Sequence, residues 1–183
     1  MERWRSFAGL LPVWARIGWW GLVTPRIAER EPLVVHQAVV CCGDEVLLTV
    51  RADLRGWELP GGSALPGEGD EQALRREVRE ETGLDVEVVQ RVGDYVRSGF
   101  RPHTARVSLC RPLGGELRPS AETLRVRWFG RQALPDTLFP WYRAPLADAL
   151  AGRSGLERRE TQGPAWVLEA MRIDLRMRLS GDG

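Results

Sequence analysis

The sequence predicts an α/β domain built on a mixed β-sheet, with a Trp-rich helical extension before it and an amphipathic helix after it. Three observations carry this reading. Short β-type segments separated by turn residues begin at Leu33, a charged helical segment interrupts them at Asp70, and a helical periodicity closes the chain from Ala165. At 183 residues the chain has room for one domain with a real core and extra length at both ends. It divides into an N-terminal helical extension (residues 1–32), a central domain (33–152) and a C-terminal amphipathic helix packing on that domain (153–183).

The elements follow in order. Residues 33–42 are β-rich, Gly43-Asp44 is a turn, and residues 45–50 form a second strand. Residues 56–62 are extended and end in two glycines. Residues 70–82 form a charged helix that Gly83 stops. Residues 85–96, 104–110 and 124–129 read as strands and residues 145–150 as helical. In the last helix, residues 165–179, Trp166, Leu168, Met171, Leu175 and Leu179 recur at helical spacing and are expected to pack on the core.

The first thirty residues carry Trp4, Trp14, Trp19 and Trp20 interleaved with Arg3, Arg5, Arg16 and Arg26. Pro12 and Arg16 interrupt any continuous apolar stretch, so neither a signal peptide nor a membrane span is expected. A short amphipathic helix broken near Pro12 fits better. Its tryptophans are expected to pack on the domain itself, or else at a homodimer interface; a membrane surface comes last.

Twenty-six basic residues against twenty-five acidic ones leave a net charge of +1, so no global field draws nucleic acid. Every basic residue other than the two histidines is Arg, and neither Lys nor Asn occurs. This is the imprint expected of a GC-rich, bacterial genome, and it implies that many surface arginines stand in for Lys. Cys41, Cys42 and Cys110 make no disulfide framework. Neighbours on a strand face opposite sides, so Cys41 and Cys42 do not share a metal, and all three read as buried small hydrophobes in a reducing cytoplasm.

The chemistry lies between Gly61 and Leu84. On a helix, Glu77, Glu80 and Glu81 stand at i, i+3 and i+4 on one face, with the small Ala73 a turn earlier and Leu74 and Val78 on the buried side. Three adjacent like charges cost stability unless a cation offsets them, and a hard divalent ion suits carboxylate oxygens. Glu68 can reach the same region, Gly61-Gly62 allow a sharp turn that frees a carbonyl, and Arg76 can pin a carboxylate.

The spacing Gly62, five residues, Glu68, seven residues, Arg76-Glu77-Val78, one residue, Glu80-Glu81, one residue, Gly83-Leu84 matches every fixed position of the Nudix box. The lead-in Trp57-Glu58-Leu59-Pro60 and the stretches after Gly114 and Trp128 also resemble Nudix hydrolases, so the likeness runs from about Leu33 to Leu150. It implies a Nudix-type α/β/α sandwich with a mixed sheet, and a Mg²⁺- or Mn²⁺-dependent pyrophosphohydrolase. Glu77 and Glu81 would be the principal metal ligands. Glu80 would be a further or water-bridged ligand, Glu68 would act behind them or on a second ion, and the Gly61 carbonyl would complete the set. Water would be activated by Glu122 in preference to Glu116, with Glu80 as the fallback and Arg76 as an aid. Arg51, Glu58, Arg97, Phe100 and His103 are candidates for contacting substrate; His36 reads as structural.

The box specifies the bond and not the group attached to it. The expected substrate is a nucleoside diphosphate linked to a small moiety such as a sugar. The alternatives are a non-catalytic nucleotide-binding Nudix module and a membrane-surface hydrolase of a lipid-linked pyrophosphate. The expected setting is cytoplasmic, without nucleic acid, and with a homodimer possible.

Overall fold

The β-branched runs of the sequence become strands that are buried through their middles. In the computed structural model, β1 (Val34–Cys42) and β2 (Glu45–Arg51) form a hairpin whose turn places Gly43 at φ 57°, a left-handed conformation that glycine adopts freely. The structure describes residues 33–99 and 101–180 together with Pro12, Trp14, Ala15 and Trp19. Phe100 and most of the N-terminal extension lie outside the described residues. The remaining strands are β3 (Trp57–Glu58), β4 (Gly61–Ser63), β5 (Leu84–Gly99), β6 (His103–Gly115), β7 (Thr123–Gly130) and β8 (Leu156–Gln162).

The strand order is β3-β2-β1-β6-β5-β8, with β4 added to β1 and β7 to β2. β1 runs parallel to β6 and β5 parallel to β8, while the other pairs are antiparallel. Two apolar cores lie on opposite faces. Leu74 and Val78 of helix α1 (Asp70–Thr82) cover Ala38, Val40, Leu47 and Val86. Helices α2 (Pro140–Leu150) and α3 (Pro164–Ser180) bring Leu146, Ile173 and Met177 onto Val39, Leu48, Val50 and Trp57. The mixed sheet is thus held between helices, as expected. Among the described residues no helix is long and apolar enough to cross a membrane.

Three elements differ from the sequence expectation. β8 was not anticipated, because Leu156–Gln162 reads LERRETQ, a charged run with little β preference. It pairs with β5 along its whole length, and its charges add to this: Arg158 pairs with the buried Asp148 of α2, and Glu160 with the buried Arg97 of β5.

Helix α2 starts at Pro140 and not at Pro145, which sits inside the helix. A mid-helix proline leaves the carbonyl four residues earlier without its amide. Here that carbonyl belongs to Trp141, and Arg97 donates a hydrogen bond to it, so the helix passes through Pro145 with the group satisfied.

The expected core stripe of α3 faces outward. Leu168, Leu175 and Leu179 are exposed, and Trp166 and Met171 only half-buried, while Ala170, Ile173, Asp174, Met177 and Arg178 are buried. The helix is turned by an ion pair that reads as surface charge in sequence. Arg178 donates to Asp174 at 2.9 Å and to the carbonyl of Asp53. Asp174 also accepts the Arg55 amide and the Trp14 indole at 3.1 Å. With these partners the cost of burying both charges is offset, and α3 is fastened to the loop between β2 and β3. Among the cysteines only Cys110 is buried; Cys41 is half-buried and Cys42 exposed at the strand end.

Candidate active site

Helix α1 positions the acidic cluster. Asp70 and Glu71 favour its positive N-terminal end, and Gly83 closes it in the left-handed conformation (φ 80°) with its amide on the Arg79 carbonyl. This fixes which side chains leave the core: Ala73, Leu74 and Val78 are buried, Glu77 is half-buried and Glu80 exposed. Ala73, a turn before Glu77, is fully buried.

Glu81 is the centre of the site. It is buried, and one oxygen accepts the Gly61 amide at 2.9 Å. The seen contact of Gly61 is therefore through its N–H. Glu58, Glu77 and Glu122 all press their charge on Glu81 or share its field, and Arg51 is the cation that opposes them. Burial first, then Glu77 and Glu122, push the Glu81 acid up to about 7. Arg51 is held by Asp53 at 2.9 Å and stands 4.0 Å from Glu58.

Arg76 organises the other side. Its fork engages both oxygens of Glu68 at 2.9 Å, and it also reaches Glu77 at 2.9 Å, Glu80 at 3.2 Å and the Ser63 carbonyl. The bidentate partner is thus Glu68, whose acid is held below the ordinary range by Arg76. Glu68 also receives the Leu65 amide, which ties the loop before α1.

The glycine pair has a geometric reason. A Cβ on Gly61 would stand 2.0 Å from the His36 carbonyl oxygen, and one on Gly62 would stand 2.3 Å from the Glu77 carboxyl carbon. Gly61 is closed to a side chain by backbone, while the space at Gly62 is taken by the movable end of a box glutamate.

A NUDIX domain model matches residues 32–149. The chain belongs to the Nudix family. It is 39% identical over 131 residues to a MutT-like protein of Streptomyces ambofaciens, covering 70% of this chain and 84% of that one. It is 42% identical over 126 residues to an 8-oxo-dGDP phosphatase of Homo sapiens, covering 62% of this chain but only 36% of that protein. A solved ADP-ribose pyrophosphatase of Streptococcus suis superposes with a TM-score of 0.60 at 31% identity, over 71% of this chain and all of that one. The chain is a Nudix hydrolase.

The donors of this Nudix site fit a hard divalent cation by chemistry: the buried Glu81 feels the charges of Glu77 and Glu122, with Arg51 opposing them. Among the described residues no three His, Cys, Asp or Glu groups already stand close enough together to hold an ion. Glu80 and Glu77 are drawn toward Arg76 instead.

The candidates for substrate contact divide. Arg51 and Glu58 converge on Glu81. Arg97 does not reach an open cleft: it is 2% exposed, and its guanidinium is taken up by Glu160, His103 and the Trp141 carbonyl. His103 is also held by the Arg101 carbonyl, and burial brings its acid down to about 4, so the ring is neutral. Phe100 is outside the described residues. His36 is buried in β1 beside Asp70.

Tyr142 was missed by sequence reasoning. It lies on α2, and its hydroxyl donates to Glu58 at 3.1 Å, holding that carboxyl under the site. No short-range spacing links the two residues. Burial pushes Glu58 up to about 8, with Tyr142 and Arg51 opposing the shift. In metal-free protein the folded state therefore binds this proton more tightly than the unfolded chain does. The stability it contributes is fully present below about pH 4.5 and is lost as pH rises toward 8. Urea unfolding in EDTA should show wild type losing at least about 1 kcal/mol more than Glu58→Gln between pH 5 and pH 8. Equal losses would mean that Glu58 is already ionised at pH 5.

Proposed function

We propose that this Nudix hydrolase cleaves the pyrophosphate bond of a nucleoside diphosphate derivative, with ADP-ribose and nucleotide sugars as the type. The carrying observation is Glu81, buried on the box helix where Glu58, Glu77 and Glu122 converge. Support for the substrate class comes from relatives named for 8-oxo-dGDP and ADP-ribose. Glu77 and Glu81 would hold a divalent cation, with Glu80 and the Gly61 carbonyl as further donors and Glu68 fixed behind them through Arg76. When bound, Mg²⁺ neutralises diphosphate oxygens and the charge on the leaving group. Arg51 offers its guanidinium beside the acids for a phosphate oxygen.

Glu122 is the preferred base. It is exposed in the loop before β7, its carbonyl accepts the Ala52 amide, and its charge reaches Glu81. The Glu116 backbone lies against Gly83 at the far end of α1. A base at Glu122 takes a proton from the attacking water and leaves no covalent intermediate. Glu122→Gln is expected to lower kcat about tenfold to a hundredfold and to alter its pH dependence, while Glu116→Gln stays near wild type. The reverse pattern in the pH–rate profiles transfers the role to Glu116, and a loss in neither leaves it to Glu80.

The deciding experiment is a hydrolysis screen over ADP-ribose, nucleotide sugars, nucleoside diphosphates and triphosphates with Mg²⁺ and Mn²⁺. Preference for a diphosphate derivative is expected. Turnover confined to triphosphates would overturn the substrate class, and turnover of none would favour a nucleotide-binding module. The contact between the Trp14 indole and Asp174 favours an extension packed on its own domain over one lying at a membrane, where a lipid-linked pyrophosphate would be met.

A further inference from the structure

A cavity lies behind the sheet, away from the acidic cluster. It has a volume of about 530 Å³, in the range of small-molecule sites. Strand register separates it from the active site. Trp57 pairs with Val50, Arg127 with Leu48 and Phe129 with Val46, and these β2 residues belong to the core under α2 and α3. Glu58 pairs with Thr49, on the other face. The cavity therefore opens on the side of the sheet away from α1.

Its lining joins two chemistries. Trp57, Phe129, Leu124 and Met177 supply apolar walls, with Trp57 and Phe129 edge to face at 4.7 Å. Arg127 of β7 and Arg176 of α3 enter the cavity, with Arg125 of β7 beside them and held by contacts of its own. Among the described residues Arg127 and Arg176 have no carboxylate within ion-pair distance; Arg127 lies 5.2 Å over the Phe129 ring. Asp136 is the one acidic group in the lining. Two unpaired guanidinium forks suit the oxygens of a phosphate, the apolar walls suit a flat ring, and Asp136 can accept from a ring amine.

We propose that this cavity is a second, metal-independent binding site for a purine nucleoside monophosphate, distinct from the Nudix site. No cation is needed there, because the protein itself supplies the positive charge. The Nudix site is acidic and takes phosphate only with a metal, so a chelator separates the two. The inference stands whether or not the chain hydrolyses the proposed substrates.

The test is calorimetric titration of the full chain with AMP and with GMP in EDTA at low salt. Saturable binding with Kd below about 1 mM is expected, unchanged in Glu81→Gln and weakened about tenfold or more in Arg127→Ala/Arg176→Ala. Both arginines are exposed, so the double variant should keep the wild-type melting temperature. Arg176→Glu, a single change on the outside of α3, provides an independent variant with the same expected loss. Binding that requires Mg²⁺ and vanishes in Glu81→Gln belongs to the Nudix site and overturns the proposal. So does binding that survives both arginine variants, or the absence of saturable binding. Inorganic phosphate that binds as tightly as AMP also overturns it, since the cavity would then be an anion site without ring recognition.

Discussion

Glu81→Gln is expected to lower kcat by about two orders of magnitude or more, and Glu77→Gln to do the same, because each would remove a charged donor to the divalent cation proposed to carry the reaction. The expectation rests on the placement of Glu81. Its burial and the surrounding acids make its charge costly to keep without a cation, even with the Gly61 amide on one oxygen. Glutamine keeps the shape and can still accept the Gly61 amide. The fold should therefore survive; in EDTA at pH 8 the variant should be as stable as wild type or more so, since a neutral amide replaces an acid raised to about 7. Mg²⁺ should raise the melting temperature of the wild type, and that rise should disappear in the variant. Lost activity with an intact metal-dependent shift would move the metal elsewhere. Near-normal turnover of both variants at saturating Mg²⁺ would remove the assigned site altogether.

Local chemistry was legible in the sequence, and long-range burial was not. Helix α1 was bounded correctly at Asp70 and Thr82, because Gly83 and the charged first turn are signals carried within a few residues. The box glutamates were legible for the same reason. Strands β1 and β2 followed from their β-branched runs, while β5 and β6 extend beyond the predicted ends because they pair with each other over most of their length. β8 and the facing of α3 escaped because charged residues do the joining: Arg158 to Asp148, Glu160 to Arg97, and Arg178 to Asp174. A pattern rule that places charge outside and leucine inside inverts such elements. Glu58 shows the same limit within the site. Its residue type was readable, but its setting depends on Tyr142, 84 positions away, and on Arg51.

The two glycines before α1 separate stability from catalysis. Gly61→Ala should destabilise the protein by about 3 kcal/mol or more. Its φ of 149° is a conformation that side-chain-bearing residues rarely adopt, and the new Cβ would meet the His36 carbonyl oxygen at 2.0 Å. That oxygen belongs to β1, which pairs with β4 and with β6, so it cannot yield without parting strands. Gly62→Ala meets something softer. Its Cβ would stand 2.3 to 2.5 Å from the Glu77 carboxyl group, the end of a flexible side chain that can swing aside. Gly62→Ala should then lose about 1 kcal/mol or less. The displaced Glu77 should instead lower kcat about tenfold or more and raise the Mg²⁺ concentration needed for half-activity. Urea melts and Mg²⁺ titrations of the two variants check this contrast. A Gly62→Ala protein with full activity at low Mg²⁺, or one as unstable as Gly61→Ala, would show that Gly62 does not serve as the seat of the Glu77 carboxylate.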